Sequence, residues 1–183
     1  MLTASKILEE IKEGNISISD FNIDQLNPNS YNIRLSNILK YYTSKTLDPH
    51  DSKTLETNNL IIPDEGIILL PGILYIGSTK ETIGTDKYIS SIDGRSSIGR
   101  LGIQIHMTAG FGDIGFNGTY TLEITVVHPV RIYPDMLIGQ VYFEKPDGNI
   151  DFLYNGRYQN QSEPVASRIN ISDKDIDSYH YKK

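Results

Sequence analysis

A cluster of basic and hydroxyl side chains lies near the middle of the chain, where residues 93–100 read DGRSSIGR. Arg95 and Arg100 flank two adjacent serines, Ser96 and Ser97, across a stretch as long as a helical turn. The free N–H groups of such a turn, together with hydroxyls and guanidinium groups, suit a polyphosphate ligand. The structural alternative is a pair of surface arginines beside a serine N-cap.

Three glycines follow this cluster at the spacing of a dinucleotide-binding loop: Gly110, Gly112 and Gly115. That fingerprint requires a helix directly after it, whereas a β-type run follows here. The glycines therefore indicate either a tight, irregular turn or a backbone that approaches a ligand closely.

Glu123 lies in the middle of the most regular strand pattern in the sequence. Apolar side chains recur at every second position and share one face of this strand: Tyr120, Leu122, Ile124 and Val126. Glu123 shares the opposite face with Thr121 and Thr125. The pattern predicts a carboxylate on a rigid element, directed away from the core.

The chain contains no cysteine, and its four histidines are scattered without a second ligand at metal-binding spacing. These features exclude disulfides, thiol nucleophiles and Cys-ligated zinc, and they give no support to another transition-metal site. Any catalysis is therefore expected to use oxygen and nitrogen groups.

The net charge of −6 and the pI near 5.2 disfavour nucleic acid and anionic membranes as partners. A small basic pocket for one polyphosphate is compatible with this charge. The first ten residues are charged and the chain contains no long apolar run. The sequence therefore predicts no secretory signal and no membrane span. We expect a cytoplasmic protein.

Strands are the main elements available to position these residues. The length of 183 residues matches one domain. It begins with a short helix, which is capped by Thr3 or Ser5 and ends at Gly14 and Asn15. Runs rich in Ile, Val, Tyr and Thr then alternate with turn residues, which predicts an all-β sandwich or barrel of the jelly-roll kind. The expected strands are 31–39, 59–62, 66–70, 73–79, 88–92, 103–107, 120–127, 130–133 and 139–144.

Several motifs together form a recognisable set. The central ones are GRSSIGRLG at 94–102, HMTAG at 106–110, Asp113, GFNG at 115–118 and TLE at 121–123. The outer ones are PNSYNIRL at 28–35, MLIGQ at 136–140, RYQNQ at 157–161 and ASRI at 166–169. In this order they resemble the dCTP deaminase family, the trimeric relatives of dUTPases, from residue 1 to about residue 170.

The resemblance implies a dUTPase-like jelly-roll or β-clip barrel with a short N-terminal helix. It also implies a homotrimer with active sites between subunits. Residues 1–170 would form one domain, in which 147–170 are a C-terminal lid, and 171–183 would be a charged, flexible tail.

The resemblance further implies deamination of dCTP without zinc, which agrees with the absence of cysteine. Glu123 matches the catalytic glutamate and would act as general base toward the water that attacks C4 of cytosine. Arg100 would stabilise the developing charge, while Ser96 and the carbonyl group of Ala109 would hold the water.

The remaining matched positions are expected to bind the nucleotide. The phosphate turn would use Arg95, Ser97, Ile98 and Gly99, with Mg²⁺ bound to the triphosphate and no metal ligand from the protein. Asp113 would accept from the sugar 3′-hydroxyl, Phe116 would pack on the deoxyribose, and Thr121 and Leu122 would flank the base. Gln140, Arg157 and Gln161 would close over the substrate, and Tyr154 matches a family tyrosine.

Two departures from the family pattern concern the product. Gly110 is typical of members that also hydrolyse dUTP. The stretch from Gly112 to Gly115 has Ile114 in place of a rigid turn proline and adds a flexible glycine, Gly112, and we expect these departures to loosen the loop over the base and sugar. The main expectation is deamination of dCTP to dUTP and ammonia. The alternatives are a bifunctional enzyme giving dUMP, ammonia and pyrophosphate, and a non-catalytic nucleotide-binding regulator. The resemblance also allows dTTP as a feedback inhibitor.

Overall fold

The structure is a computed structural model that describes residues 1–169, so the predicted tail at 171–183 lies outside the described residues. The α-helices are α1 (Ala4–Lys12) and α2 (Ser96–Gly99), and two short 3₁₀-helices span Ile23–Gln25 and Ser52–Leu55. The first strands are β1 (Ile16–Ile18), β2 (Leu26–Asn27), β3 (Ser30–Arg34), β4 (Ile38–Tyr42), β5 (Thr57–Ile61), β6 (Ile67–Leu69) and β7 (Tyr75–Thr85). The later strands are β8 (Ile89–Gly94), β9 (Ile103–Gln104), β10 (Phe111–Gly112), β11 (Asn117–Val126), β12 (Val130–Ile132) and β13 (Leu137–Glu144).

Helix α1 forms near the N-terminus as the sequence predicts. Thr3 precedes it in an extended conformation but makes no capping hydrogen bond with its side chain. Ile7 is fully buried against the sheets, and Gly14 ends the segment with a φ of +74°. No helix in residues 1–169 is long and apolar enough to span a membrane.

Two antiparallel sheets enclose the core. One has the strand order β5-β4-β7-β11-β9, with β1 also paired to β7, and the other has the order β10-β8-β13-β3-β2. A separate ribbon joins β12 to β6. The fully buried side chains come from both sheets and include Tyr31, Phe143, Leu122 and Ile124. The all-β prediction is therefore confirmed.

The clearest predicted alternation is present in β11. Tyr120, Leu122, Ile124 and Val126 are buried, while Thr121, Glu123 and Thr125 are partly exposed. The register of β11 against β7 shifts between Thr119 and Thr121. Such a bulge changes the direction of the strand and re-aims the side chains beside it.

Other predicted strands differ from the observed ones. The expected strand at 31–39 is two strands, β3 and β4, with a single bridge between Leu35 and Thr79 in the gap. The strand expected at 103–107 ends at Gln104. Strands β1, β2 and β10 were not predicted, because two or three residues carry too little periodicity to be recognised.

Glu81 and Arg34 form a buried ion pair between the two sheets. The Glu81 side chain is 0% exposed and the Arg34 side chain 21%. The carboxylate accepts from the Arg34 backbone N–H at 2.9 Å and from Nε at 2.7 Å. These hydrogen bonds raise the pKa of Arg34. The pair therefore links β3 to β7 where the bulge interrupts regular pairing.

We expect Glu81→Ala to lower the free energy of unfolding by about 3–5 kcal/mol, because it leaves a largely buried guanidinium without its counter-charge. Urea denaturation at one fixed protein concentration measures this change. The matched control is Asp135→Asn, which breaks the exposed Lys80–Asp135 pair and should cost less than about 1 kcal/mol. Equal losses in the two variants would contradict the assignment of stability to the buried pair.

Candidate active site

A cavity of about 400 Å³ opens beside the polar face of β11. Its walls come from β11, from the loop around β10, from β4 and β7, and from the C-terminal segment, defined as residues 145–169. Seven of the residues predicted from the sequence line it: Ala109, Asp113, Phe116, Thr121, Glu123, Tyr154 and Gln161. Positions far apart in sequence thus meet around one space large enough for a small ligand.

Two carboxylates of residues 1–169 line the cavity, and Glu123 is the one that lies on β11. Its Oε2 accepts a hydrogen bond from the backbone N–H of Met107 at 3.3 Å. Because Leu122 and Ile124 pack into the core on either side, the strand fixes the direction of this carboxylate. The group is partly exposed and open to the cavity, as a proton acceptor for a bound water must be.

Aromatic rings form the apolar wall of the cavity. The ring of Phe116 meets that of Tyr120 edge-on at 4.8 Å and that of Tyr154 at 5.9 Å. Phe116 is buried, and Asp113 lies exposed at the mouth of the cavity on the same loop. An apolar surface beside a hydrogen-bond acceptor is suited to one face and one hydroxyl of a sugar.

The C-terminal segment runs along β11 and closes one side of the cavity. Thr119 donates its N–H to the Gln161 carbonyl at 2.9 Å, and Gln161 Nε2 donates to Thr121 Oγ1 at 3.1 Å. A Cβ at Gly118 would lie 2.9 Å from the Gln161 carbonyl oxygen, so the absence of a side chain permits this approach. Gln161 Oε1 is buried and has no hydrogen-bond partner within residues 1–169.

Two contacts with β4 hold the far end of this segment. Ser167 donates its N–H to the Tyr42 hydroxyl at 3.1 Å, and Lys40 Nζ lies 3.6 Å from Glu163 Oε2. Tyr42 also lines the cavity. Tyr42 could not be predicted from the sequence, because 125 positions separate it from Ser167.

The predicted phosphate turn forms, but it lies outside the cavity. Helix α2 is one turn with Arg95 in the N-cap position, and Arg95 Nη1 donates to the Leu137 carbonyl at 3.2 Å. Ser96, Ser97, Gly99 and Arg100 are exposed, and Ile98 is buried. The backbone N–H of Arg100 donates to the Ser96 carbonyl at 3.1 Å, but its side chain makes no hydrogen bond or ion pair with the described residues. Within one chain, therefore, Ser96 and Arg100 do not join Glu123.

The other predicted residues have varied positions. Gln140 lies beside the predicted phosphate turn, because its Nε2 donates to the Gly94 carbonyl at 3.4 Å, and its Oε1 accepts from Ser30 Oγ at 2.9 Å. Leu122 has its side chain in the core, so only its backbone can contact a ligand. Arg157 is held within the C-terminal segment, because its Nη1 donates to the Arg168 carbonyl at 2.8 Å. Residues 1–169 contain no cluster of three Asp, Glu or His side chains arranged for a metal ion.

The chain resembles known proteins over most of its length. Residues 1–146 match the family described as dCTP deaminase-like. A relative from Clostridium botulinum strain Alaska E43, named "dCTP deaminase, dUMP-forming", is 49% identical over 162 residues, which are 88% of this chain and 92% of the relative. A relative of the same name from Clostridium acetobutylicum is 48% identical, over 87% of this chain and 91% of its own.

A solved structure supports the fold. The 2′-deoxycytidine 5′-triphosphate deaminase of Agrobacterium tumefaciens superimposes with a TM-score of 0.60 at 23% identity. The match covers 79% of this chain and 48% of the other, so the chain spans about half the length of that protein.

The chain belongs to the dCTP deaminase-like family. The family predicted from the motifs is therefore confirmed, and the β fold of the chain matches that of the Agrobacterium deaminase. The prediction that dUTP is the final product is wrong, because the curated relatives at 45–49% identity are named as dUMP-forming. The bifunctional alternative, suggested by Gly110, agrees better with them.

We expect Tyr42→Phe to loosen the end of the C-terminal segment, because Ser167 loses the acceptor of its N–H. One lost hydrogen bond corresponds to amide exchange about three- to tenfold faster around residues 165–168. Hydrogen exchange followed by mass spectrometry measures this change. Tyr41→Phe, on the neighbouring position of the same strand, is the control and should leave the exchange unchanged. Equal exchange in both variants would show that Tyr42 does not hold the segment.

Proposed function

We propose that the protein deaminates dCTP and also cleaves its triphosphate, giving dUMP, ammonia and pyrophosphate. The observation that carries this proposal is the Glu123 carboxylate, fixed on β11 in a cavity with an aromatic wall. The names of relatives nearly half identical in sequence supply the substrate and the product.

Deamination consumes one water molecule. Glu123 accepts a proton from this water as its oxygen attacks C4 of cytosine, which gives a tetrahedral intermediate. Glu123 passes this proton to N3, where it remains in the product. The hydroxyl proton of the intermediate is then transferred to the amino group, the C4–N bond breaks, and ammonia leaves as the C4 carbonyl forms. We assign Arg100 to stabilise the developing charge, and Ser96 with the Ala109 carbonyl to hold the water.

Triphosphate cleavage consumes a second water molecule. Its oxygen bonds to the α-phosphorus, the bond from that phosphorus to the bridging oxygen breaks, and pyrophosphate leaves. Gly110 supports this step: a Cβ there would lie 3.0 Å from the Ile92 carbonyl oxygen and 3.1 Å from His106 Cε1. A larger residue would therefore displace the loop that carries Ala109.

The nucleotide is held by groups on several elements. We assign its phosphates to the turn of Arg95, Ser97, Ile98 and Gly99, with Gln140 beside it. Mg²⁺ would arrive on the triphosphate as part of the substrate, because phosphate oxygens are good ligands for this ion.

At the other end of the nucleotide, we assign the sugar to Asp113 and Phe116, and the base to the β11 backbone at Thr121 and Leu122. Residues 147–170 would act as a lid through Tyr154, Arg157 and Gln161, whose buried Oε1 can accept from a ligand. Inhibition by dTTP stays a prediction of the resemblance.

A homotrimer would complete the site. In one chain the exposed α2 turn, with Arg100 unpaired among residues 1–169, is outside the cavity that holds Glu123. We infer that the turn of one subunit meets the cavity of the next. Closed threefold symmetry repeats such a contact three times without leaving an unused surface.

The function is tested by incubating the purified protein with dCTP and Mg²⁺ and separating the products by chromatography. We expect equal amounts of ammonia, pyrophosphate and dUMP, while accumulation of dUTP would contradict the second step. Glu123→Gln should reduce ammonia release by about 10²–10⁴-fold and leave dCTP binding nearly unchanged. A near-normal rate would contradict the assigned base, and no ammonia from the unaltered protein would contradict the whole proposal.

The shared site is tested by co-expressing two inactive variants, Glu123→Gln and Arg100→Ala. After equal, random assembly each mixed trimer would have one site that combines an intact turn with an intact Glu123, which is a quarter of all sites, so we expect about one quarter of the normal activity. Each variant expressed alone is the control. Mixed trimers as inactive as either parent would place both residues in the site of a single chain.

A further inference from the structure

Tyr120 is a buried residue of β11 that lines the cavity, and the proposed function gives it no role. It is 9% exposed and follows Thr119 at the bulge between β11 and β7. Its backbone N–H is bound by the side chain of Thr79, at 2.9 Å from Oγ1, instead of by a strand carbonyl. The bulge therefore gives Tyr120 a direction that regular pairing would not impose.

The Tyr120 hydroxyl connects β11 to two other strands. It forms a hydrogen bond with Ser90 Oγ on β8. Ser90 is paired with Gly112 of β10, and a Cβ added at Gly112 would overlap the Tyr120 hydroxyl oxygen and lie 3.0 Å from Ser90 Oγ. Gly112 therefore provides the space that this hydroxyl fills. This role differs from the expectation from the sequence that Gly112 loosens the loop.

The Tyr120 ring supports the aromatic wall. It meets Phe116 edge-on at 4.8 Å with an interplanar angle of 71°. Asp113 directly follows Gly112, against which the Tyr120 hydroxyl lies. Tyr120 therefore contacts Phe116 and the residue that precedes Asp113, the two residues assigned to the sugar being Phe116 and Asp113. Burial raises the pKa of Tyr120 to about 12, so the hydroxyl keeps its proton near neutral pH.

We propose that Tyr120 is a positioning residue for sugar selection, which fixes Phe116 and the Phe111–Asp113 segment relative to each other and so excludes a 2′-hydroxyl. This inference rests on the proposed function, because it takes the sugar to lie between Phe116 and Asp113. Because the hydrogen-bonded Tyr120 packs against one side of the Phe116 ring, this ring cannot move away to make room for a 2′-hydroxyl. The site thus discriminates against ribonucleotides through rigidity rather than through a direct contact with Tyr120.

Three variants test this inference. Tyr120→Phe keeps the ring and removes the hydroxyl, Gly112→Ala introduces the overlap, and the double variant removes the atom that the new methyl would meet. The control is Tyr31→Phe, which also removes a buried hydroxyl, the acceptor of the Asn22 N–H at 3.0 Å, but does not line the cavity. Dissociation constants for dCTP and CTP with Mg²⁺, and ammonia release from each, are measured for every protein.

We expect Tyr120→Phe to lower the preference for dCTP over CTP by about tenfold, the effect of one lost hydrogen bond, mainly through tighter CTP binding. Tyr31→Phe should leave this preference unchanged. Gly112→Ala should weaken dCTP binding, and the double variant should recover most of it. A merely structural role would lower binding of both nucleotides equally.

An unchanged preference in Tyr120→Phe, or a double variant no better than Gly112→Ala, would overturn the inference. An unaltered protein that binds both nucleotides equally would overturn it as well. Binding that favours dCTP without ammonia release would instead contradict the proposed function, while the binding ratios would still decide the role of Tyr120.

Discussion

Strand β11 imposes the constraint on which the rest of the molecule depends. Its side chains alternate between a core that must exclude water and a cavity that must admit a polar ligand. Because the period of a strand is two residues, a slip of one position would exchange the two sets of side chains and bury Glu123. The pairing of β11 with β7 along most of its length prevents that slip, and so does the burial of Leu122 and Ile124 in the core.

Sequence periodicity was sufficient to predict the features that depend on local pattern. The direction of Glu123, the helix α1 and the single turn at Ser96–Gly99 all follow from side chains within a few positions of one another. The two-residue strand β10 and the anchoring of residue 167 by Tyr42 depend on contacts between distant positions. Such contacts leave no mark on the local pattern, so they could not be predicted.

Gly112 shows how a glycine can be misinterpreted from sequence. The absence of a side chain suggested a looser loop, because glycine widens the range of backbone conformations. In the structure the same absence allows a tyrosine from another strand to approach, and Gly112 itself is buried and paired with Ser90 of β8. The product of the reaction was misjudged in a related way. Gly110 indicates dUMP formation, but a single small residue is a weaker sequence signal than the deaminase motifs that surround it.

The C-terminal segment has a consequence for the solubility of the protein. Between Asn117 and Thr119, the β11 edge opposite β7 bonds to this segment, where Asn160 donates to the Asn117 carbonyl at 2.8 Å. Any movement that lifts the segment exposes a short row of unpaired N–H and C=O groups beside Phe116. Exposed strand edges of this kind recruit strands from other molecules. Opening the cavity would therefore break the same hydrogen bonds that protect this strand edge from aggregation.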